Sequence, residues 1–183
     1  MLQVVINSHI PLLTKSGRDQ VGTKFHPCPP LRKGRAFVYM ALIFDIETIG
    51  YEFGSLDLIT QDNLTRWIKR QAGDNERQYK ALFTDLKEGL GFSPLTGKIV
   101  TIGVFDSISD KGVVYYQAPD LDLREEKEEN FIFKPKTEKE MLESFWQGVK
   151  NYKEFVSFNG RSFDVPFLLL RSAINKVKPS INL

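Results

Sequence analysis

The sequence predicts an α/β domain, a mixed sheet with helices on its faces. Three observations carry that expectation. An apolar run at Ala41–Phe44 leads into acidic residues and stops at Gly50. A hairpin pattern follows at residues 98–117, and after it two helical patterns alternate with a short apolar strand at Phe155–Phe158. Strands followed by helices in this order build a sheet that helices cover.

The chain has 183 residues and 42% hydrophobic content, enough for one domain with a real core. No uninterrupted apolar run approaches the ~18 residues of a membrane span, so no membrane partner is expected. Cys28 is the single cysteine. An internal disulfide is therefore excluded, no disulfide-linked partner is expected, and a reducing, cytoplasmic setting fits. The net charge of +2 is unevenly spread: residues 1–39 hold six Lys/Arg against Asp19, and the remainder holds 19 basic and 22 acidic residues. Residues 40–183 therefore offer no basic field to draw in nucleic acid, and any phosphodiester chemistry there needs local neutralisation.

Residues 1–39 read as an N-terminal extension. Met1–Leu13 lacks the basic start and small-residue cleavage site of a secretory signal. The run His26-Pro27-Cys28-Pro29-Pro30 holds neither a helix nor a central strand, because proline removes donors and fixes φ. His9, His26 and Cys28 are zinc-type ligands, but the second cysteine pair of a zinc site is missing.

Ala41–Gly50, ALIFDIETIG, reads as a strand buried on both faces, since apolar residues run without polar alternation. Asp45 and Glu47 project from one face of it. Two carboxylates at the end of a buried strand repel each other and lose hydration. Either a divalent cation sits on them, or the strand end lets both reach water or a Lys or Arg; the strand alone leaves both readings open. Next comes a helical insertion, Asp62–Gln71 and Asp74–Leu90, with Asp74 and Asn75 as caps and with Asp85 and Glu88 on a solvated face. The stretch Gly91–Lys98, GFSPLTGK, fails as a phosphate loop: five residues separate the glycines, and Ile99 stands where Ser or Thr is needed.

Lys98–Asp106 and Val113–Gln117 flank an Asp110-Lys111-Gly112 turn and read as an antiparallel hairpin. Asp120 and Asp122 form a second DxD beside the charge run Arg124–Glu129, a composition that is usually solvated. Phe131–Phe133 is a short further strand. Thr137 and Glu140 make a capping box, and Met141, Leu142, Phe145, Trp146 and Val149 form the buried stripe of the helix that follows. Beyond Phe155–Phe158, Asn159-Gly160 signals a turn and Asp164 opens an apolar helix whose stripe is read as Phe167, Leu170 and Ile174. Asp164 is either an N-cap or a third carboxylate at a strand–turn–helix junction, the edge at which ligands meet α/β sheets.

FDIET at 44–48 together with NGRSFD at 159–164 resembles the first and second motifs of the DEDD-type 3′–5′ exonucleases. Within the ribonuclease H-like superfamily, the similarity is to the exonuclease domain of family B DNA polymerases. It spans residues 40–183 and implies a ribonuclease H-like sheet with flanking helices. It also implies hydrolysis of terminal phosphodiesters of single-stranded DNA, or of RNA, at the 3′ end. Two divalent ions, Mg²⁺ or Mn²⁺, held by four carboxylates would do this chemistry. By resemblance Asp45, Glu47 and Asp164 are metal ligands and catalytic residues, and Thr48, Asn159 and Phe163 contact the strand. Core packing is the other reading of Phe163. The family's third motif, with a fourth carboxylate and a Tyr or His beside it, should follow by at least one strand–helix unit, ~30 residues. The 19 residues after Asp164 contain no Asp, Glu, Tyr or His, so the fold is expected to be C-terminally incomplete and activity weak or absent. A non-catalytic module that binds nucleic acid or a protein is the alternative.

Overall fold

The computed structural model describes residues 41–118 and 124–183. The strands are β1 (Ala41–Gly50), β2 (Gly97–Asp106), β3 (Lys111–Tyr116), β4 (Glu126–Glu128), β5 (Phe131–Pro135) and β6 (Glu154–Val156). They form one six-stranded mixed sheet in the order β4-β5-β3-β2-β1-β6. β1 runs antiparallel to β2 over its length but pairs with the parallel β6 only at Ala41–Ile43. The helices are α1 (Leu58–Ala72), α2 (Glu76–Gly89), α3 (Glu138–Val149) and α4 (Asp164–Ile174). This α/β architecture is consistent with a ribonuclease H-like fold. No helix among the described residues is long and apolar enough to cross a membrane.

The core lies between one face of the sheet and helices α3 and α4. Leu42, Phe44, Ile46, Ile99 and Ile102 meet Met141, Leu142, Phe145, Trp146, Val149, Phe167 and Leu168 there. Each such side chain contributes ~1.5–3 kcal/mol on leaving water. The stripe read for α3 is the one buried, and its aromatics are core, with Phe145 edge-on to Phe44 at 5.4 Å between ring centroids. Thr137 and Glu140 close the capping box that starts α3. Trp146 Nε1 donates to Ser172 Oγ at 2.7 Å, so the indole N–H is satisfied inside the core.

A buried ion pair ties the layers together. Arg171 in α4 donates through Nε and Nη2 to both oxygens of Glu138 in α3, at 2.8 and 2.7 Å. The same guanidinium donates to the Pro94 carbonyl at 3.0 Å and to the Tyr51 hydroxyl at 2.8 Å. Glu138 in turn accepts the Ile99 N–H at 2.8 Å. Burial, the largest single influence, pulls the Arg171 pKa down, while Glu138 and Tyr51 together raise it above its ordinary value.

Several sequence expectations are corrected. β1 is buried on one face, not two: Leu42, Phe44 and Ile46 enter the core, while Ile43, Asp45, Glu47 and Ile49 are exposed. An apolar run does not separate a two-face strand from one whose outer isoleucines reach solvent. The first inserted helix starts earlier, at Leu58, because Asp57 caps it by accepting from Ile59 and Thr60. The second is capped by Asn75, and Asp85 and Glu88 are exposed as expected. The hairpin turn falls at Ser107–Asp110, where Asp106 Oδ1 accepts the Ile108 N–H at 2.8 Å, so Lys111 and Gly112 belong to β3. β4 was not expected from a charge run. An edge strand with every residue exposed tolerates such a composition. The stripe of α4 is Asp164, Phe167, Leu168, Arg171 and Ser172, and Leu170 and Ile174 are exposed. β6 stops at Val156, leaving Phe158 92% exposed. The extension at 1–39, with His9, His26 and Cys28, and the pair Asp120 and Asp122 lie outside the described residues.

Candidate active site

The site is built where β1 passes the start of α4. Strand alternation puts Ile46 into the core and turns Asp45 and Glu47 to the exposed face. Beyond Ile43 the β6 edge of β1 has no paired strand among the described residues. Asp164 enters that gap. It is the first residue of α4 and only 2% exposed, and Phe163, at the capping position, makes no side-chain cap. Asp164 Oδ1 accepts the Ile46 N–H at 3.2 Å. Asp164 therefore combines a bond to its own backbone N–H at the start of α4 with one to β1.

Asp45 and Asp164 lie close enough for each side chain to shift the other's pKa, which brings the two sequence motifs together. Burial raises the pKa of both. For Asp164 the negative charge of Asp45 raises it further, and the Ile46 N–H opposes the rise. Asp45 reaches water on the open face, yet the protein around its carboxyl still makes burial the main cause of its shift. Two neighbouring acids repel each other when both are ionised, a repulsion that a cation would relieve.

The Asn159–Gly160 turn sets the approach of α4. Asn159 adopts the left-handed region at φ 55°, and its carbonyl accepts the N–H groups of Ser162 and Phe163 at 3.0 and 3.1 Å. Gly160 packs tightly, since a Cβ there would meet Ser157 Oγ at 1.8 Å and lie 3.9 Å from Asp164 Oδ2. Asn159 is exposed and Phe163 half-buried, against Phe167 at 5.4 Å and Phe92 at 6.5 Å. Thr48 Oγ1 donates to the Gly91 carbonyl at 2.8 Å, tying the end of β1 to the loop that precedes β2.

Of the sequence-predicted residues, Asp45 and Asp164 are in contact, and Glu47 shares the strand face of Asp45. Among the described residues no group of three or more His, Cys, Asp or Glu is placed to hold a metal ion. The donor chemistry nevertheless suits a hard divalent cation, because the acids supply only oxygen. Sequence reasoning missed Phe92, the ring beside Phe163. Its signal was an aromatic residue directly after Gly91, in a loop tested only for phosphate binding.

No curated protein matches the chain. Residues 97–181 match the model of a family described as a predicted 3′–5′ exonuclease related to the exonuclease domain of PolB. That region runs from β2 through Asp164 and α4. The resemblance to the 3′–5′ exonucleases therefore holds for residues 97–181, on a sheet whose neighbouring strand β1 delivers Asp45 to Asp164.

Proposed function

We propose that the chain is a metal-dependent 3′–5′ exonuclease domain acting on terminal phosphodiesters of single-stranded DNA, with RNA as the second substrate class, and that without a fourth carboxylate its hydrolysis is weak or absent. The observation that supports this reading best is the contact between Asp45 and Asp164 at a strand–helix junction. Asp45 and Asp164, with Glu47 on the same strand face as Asp45, would hold Mg²⁺ or Mn²⁺ as catalytic ligands. When bound, such ions lower the pKa of an attacking water and stabilise the leaving 3′ oxygen. The chain's own residues supply placement. The Ile46 N–H fixes the Asp164 carboxylate, and the Thr48 bond to Gly91 holds the end of β1 where its backbone would meet the terminal nucleotide. Asn159 and Phe163 would contact the strand.

The non-catalytic reading, a module that binds nucleic acid or protein, is favoured by one observation. The described residues hold no three-ligand group. One assay separates the two readings: release of mononucleotides from a 5′-labelled single strand with Mg²⁺ or Mn²⁺. Metal-dependent release that Asp45→Ala lowers by ~100-fold or more supports the exonuclease, since disturbing even the outer shell of a metal site costs 10–100-fold. Strand binding without release supports the module. Neither binding nor release would end both readings for nucleic acid.

A further inference from the structure

A sheet face left to water is ordinarily polar, and the face turned away from α3 and α4 is not. Strand register sets its residues in rows. Phe105 of β2 pairs with Gly112 of β3, which pairs with Phe131 of β5. In the next row Val114 lies beside Phe133, and in the one after that Tyr116 lies beside Pro135. The side chains follow the rows: the Phe105 and Phe131 rings stack across Gly112 with centroids 5.8 Å apart, and a Cβ on Gly112 would run into the Phe131 ring. Phe105, Val114, Tyr116, Phe131 and Phe133 are half-buried, and none belongs to the core cluster or packs against it among the described residues. A contiguous apolar face of this kind is a surface on which another element sits.

The rows end in acids on both sides. Asp45 and Glu47 of β1 stand beside Gly103 and Thr101, and Glu126 and Glu128 of β4 stand beside Phe133 and Phe131. All four acids are exposed. Strands lie ~4.8 Å apart, so the apolar band from β2 to β5 is ~10 Å wide, with acids one strand beyond it on each side. That width matches a helix, ~10–12 Å across. The acids repel phosphates and anionic lipids. A second copy laid face to face with aligned strands is opposed too, because β1 would cover either β1 or β4 of that copy and set acid on acid. Lys and Arg at the flanks of a helix, by contrast, lay their stems over the apolar band and their charges on the acids. We propose that this face docks an amphipathic helix of a partner protein, with its apolar stripe on the band and Lys or Arg along both flanks. The proposal stands independently of the exonuclease reading.

The test is fluorescence anisotropy of labelled peptides on the full chain in EDTA, which keeps divalent cations off Asp45 and Glu47. The peptides have about 18 residues, long enough to form a helix, with leucines at helical spacing and either lysine or glutamate on both flanks. The lysine peptide should bind at least ~10-fold more tightly than the glutamate peptide or a lysine peptide with its leucines scrambled. Val114→Thr keeps the branched shape, and the hydroxyl it buries on docking should weaken the lysine peptide by about 5-fold or more. Glu126→Lys combined with Glu128→Lys, on an exposed edge strand, should weaken the lysine peptide by about 3- to 10-fold and strengthen the glutamate peptide. The inference is overturned if the lysine peptide does not bind, if scrambling its leucines costs nothing, or if both variants bind it like the wild type. An oligothymidylate that displaces the peptide, and that Val114→Thr also weakens, would make the face a nucleic-acid surface instead. Dimerisation in sedimentation that Val114→Thr abolishes would give the face to a second copy and overturn the helix partner.

Discussion

Replacing Arg171 by Met puts a number on the bond between the two helices and the site loop. Arg171 is 3% exposed and makes four hydrogen bonds, two to Glu138 and one each to the Pro94 carbonyl and the Tyr51 hydroxyl. Methionine fills much of the volume but leaves the Glu138 carboxylate buried with only the Ile99 N–H and the Asn175 amide as donors. Removing one partner of a buried ion pair costs ~3–5 kcal/mol, chiefly because the other charge stays behind. At ~2–4 °C per kcal/mol for a chain of this size, the melting temperature should fall by about 6–20 °C. Urea unfolding followed by the fluorescence of buried Trp146 measures the loss directly. Glu138→Gln removes the stranded charge, so the double variant should lose less than the two single losses summed, by at least ~1 kcal/mol. A loss below ~1 kcal/mol for Arg171→Met, or strict additivity, would show that the pair does not hold the layers as described.

Two further outcomes follow from the site. Asp45 and Asp164 bind protons more tightly in the folded chain than in the unfolded one, where carboxyls of this type titrate near 3.8. In EDTA their contribution is therefore fully present below that value and is lost as pH rises through the raised folded values. Asp164→Asn keeps an oxygen for the Ile46 N–H and removes the repulsion. It should melt above the wild type at neutral pH without metal, match it in acid, and lose the advantage when Mn²⁺ is added. A variant that melts lower than the wild type in EDTA at neutral pH would contradict the repulsion between the two acids. Ser157 Oγ is buried with no hydrogen-bond partner among the described residues, so Ser157→Ala should be neutral or stabilise by ~1 kcal/mol in a thermal melt, and a clear loss would reveal a partner for that hydroxyl.

What the sequence made legible was whatever a local pattern decides. The capping box at Thr137 and the stripe of α3 depend on spacing alone, and both were read correctly. The α4 stripe was read from Phe167, Leu170 and Ile174, but the buried side includes Arg171 and Ser172. Arg171 pairs with Glu138 and Ser172 accepts from Trp146, partners in another helix that no local window contains, while the Ser172 hydroxyl donates to the Leu168 carbonyl one turn back. Asp164 shows the same limit. As a residue type it suits a helix start, and only the arrival of Ile46 from a distant strand shows that its carboxylate also meets β1. The exposed outer face of β1 and the edge strand β4 are likewise consequences of what the sheet does or does not have beside it.

The bond from the Ile46 N–H to Asp164 gives the protein a built-in spectroscopic probe. An amide in the body of a strand ordinarily reports the ladder beside it, whereas this one reports a carboxylate. Its nitrogen–proton resonance should shift as the acid pair loses its proton or takes up a cation. Its hydrogen-exchange rate should rise when α4 leaves the sheet. One backbone position would thus register titration and the docking of the last helix, without a label, a substrate or turnover.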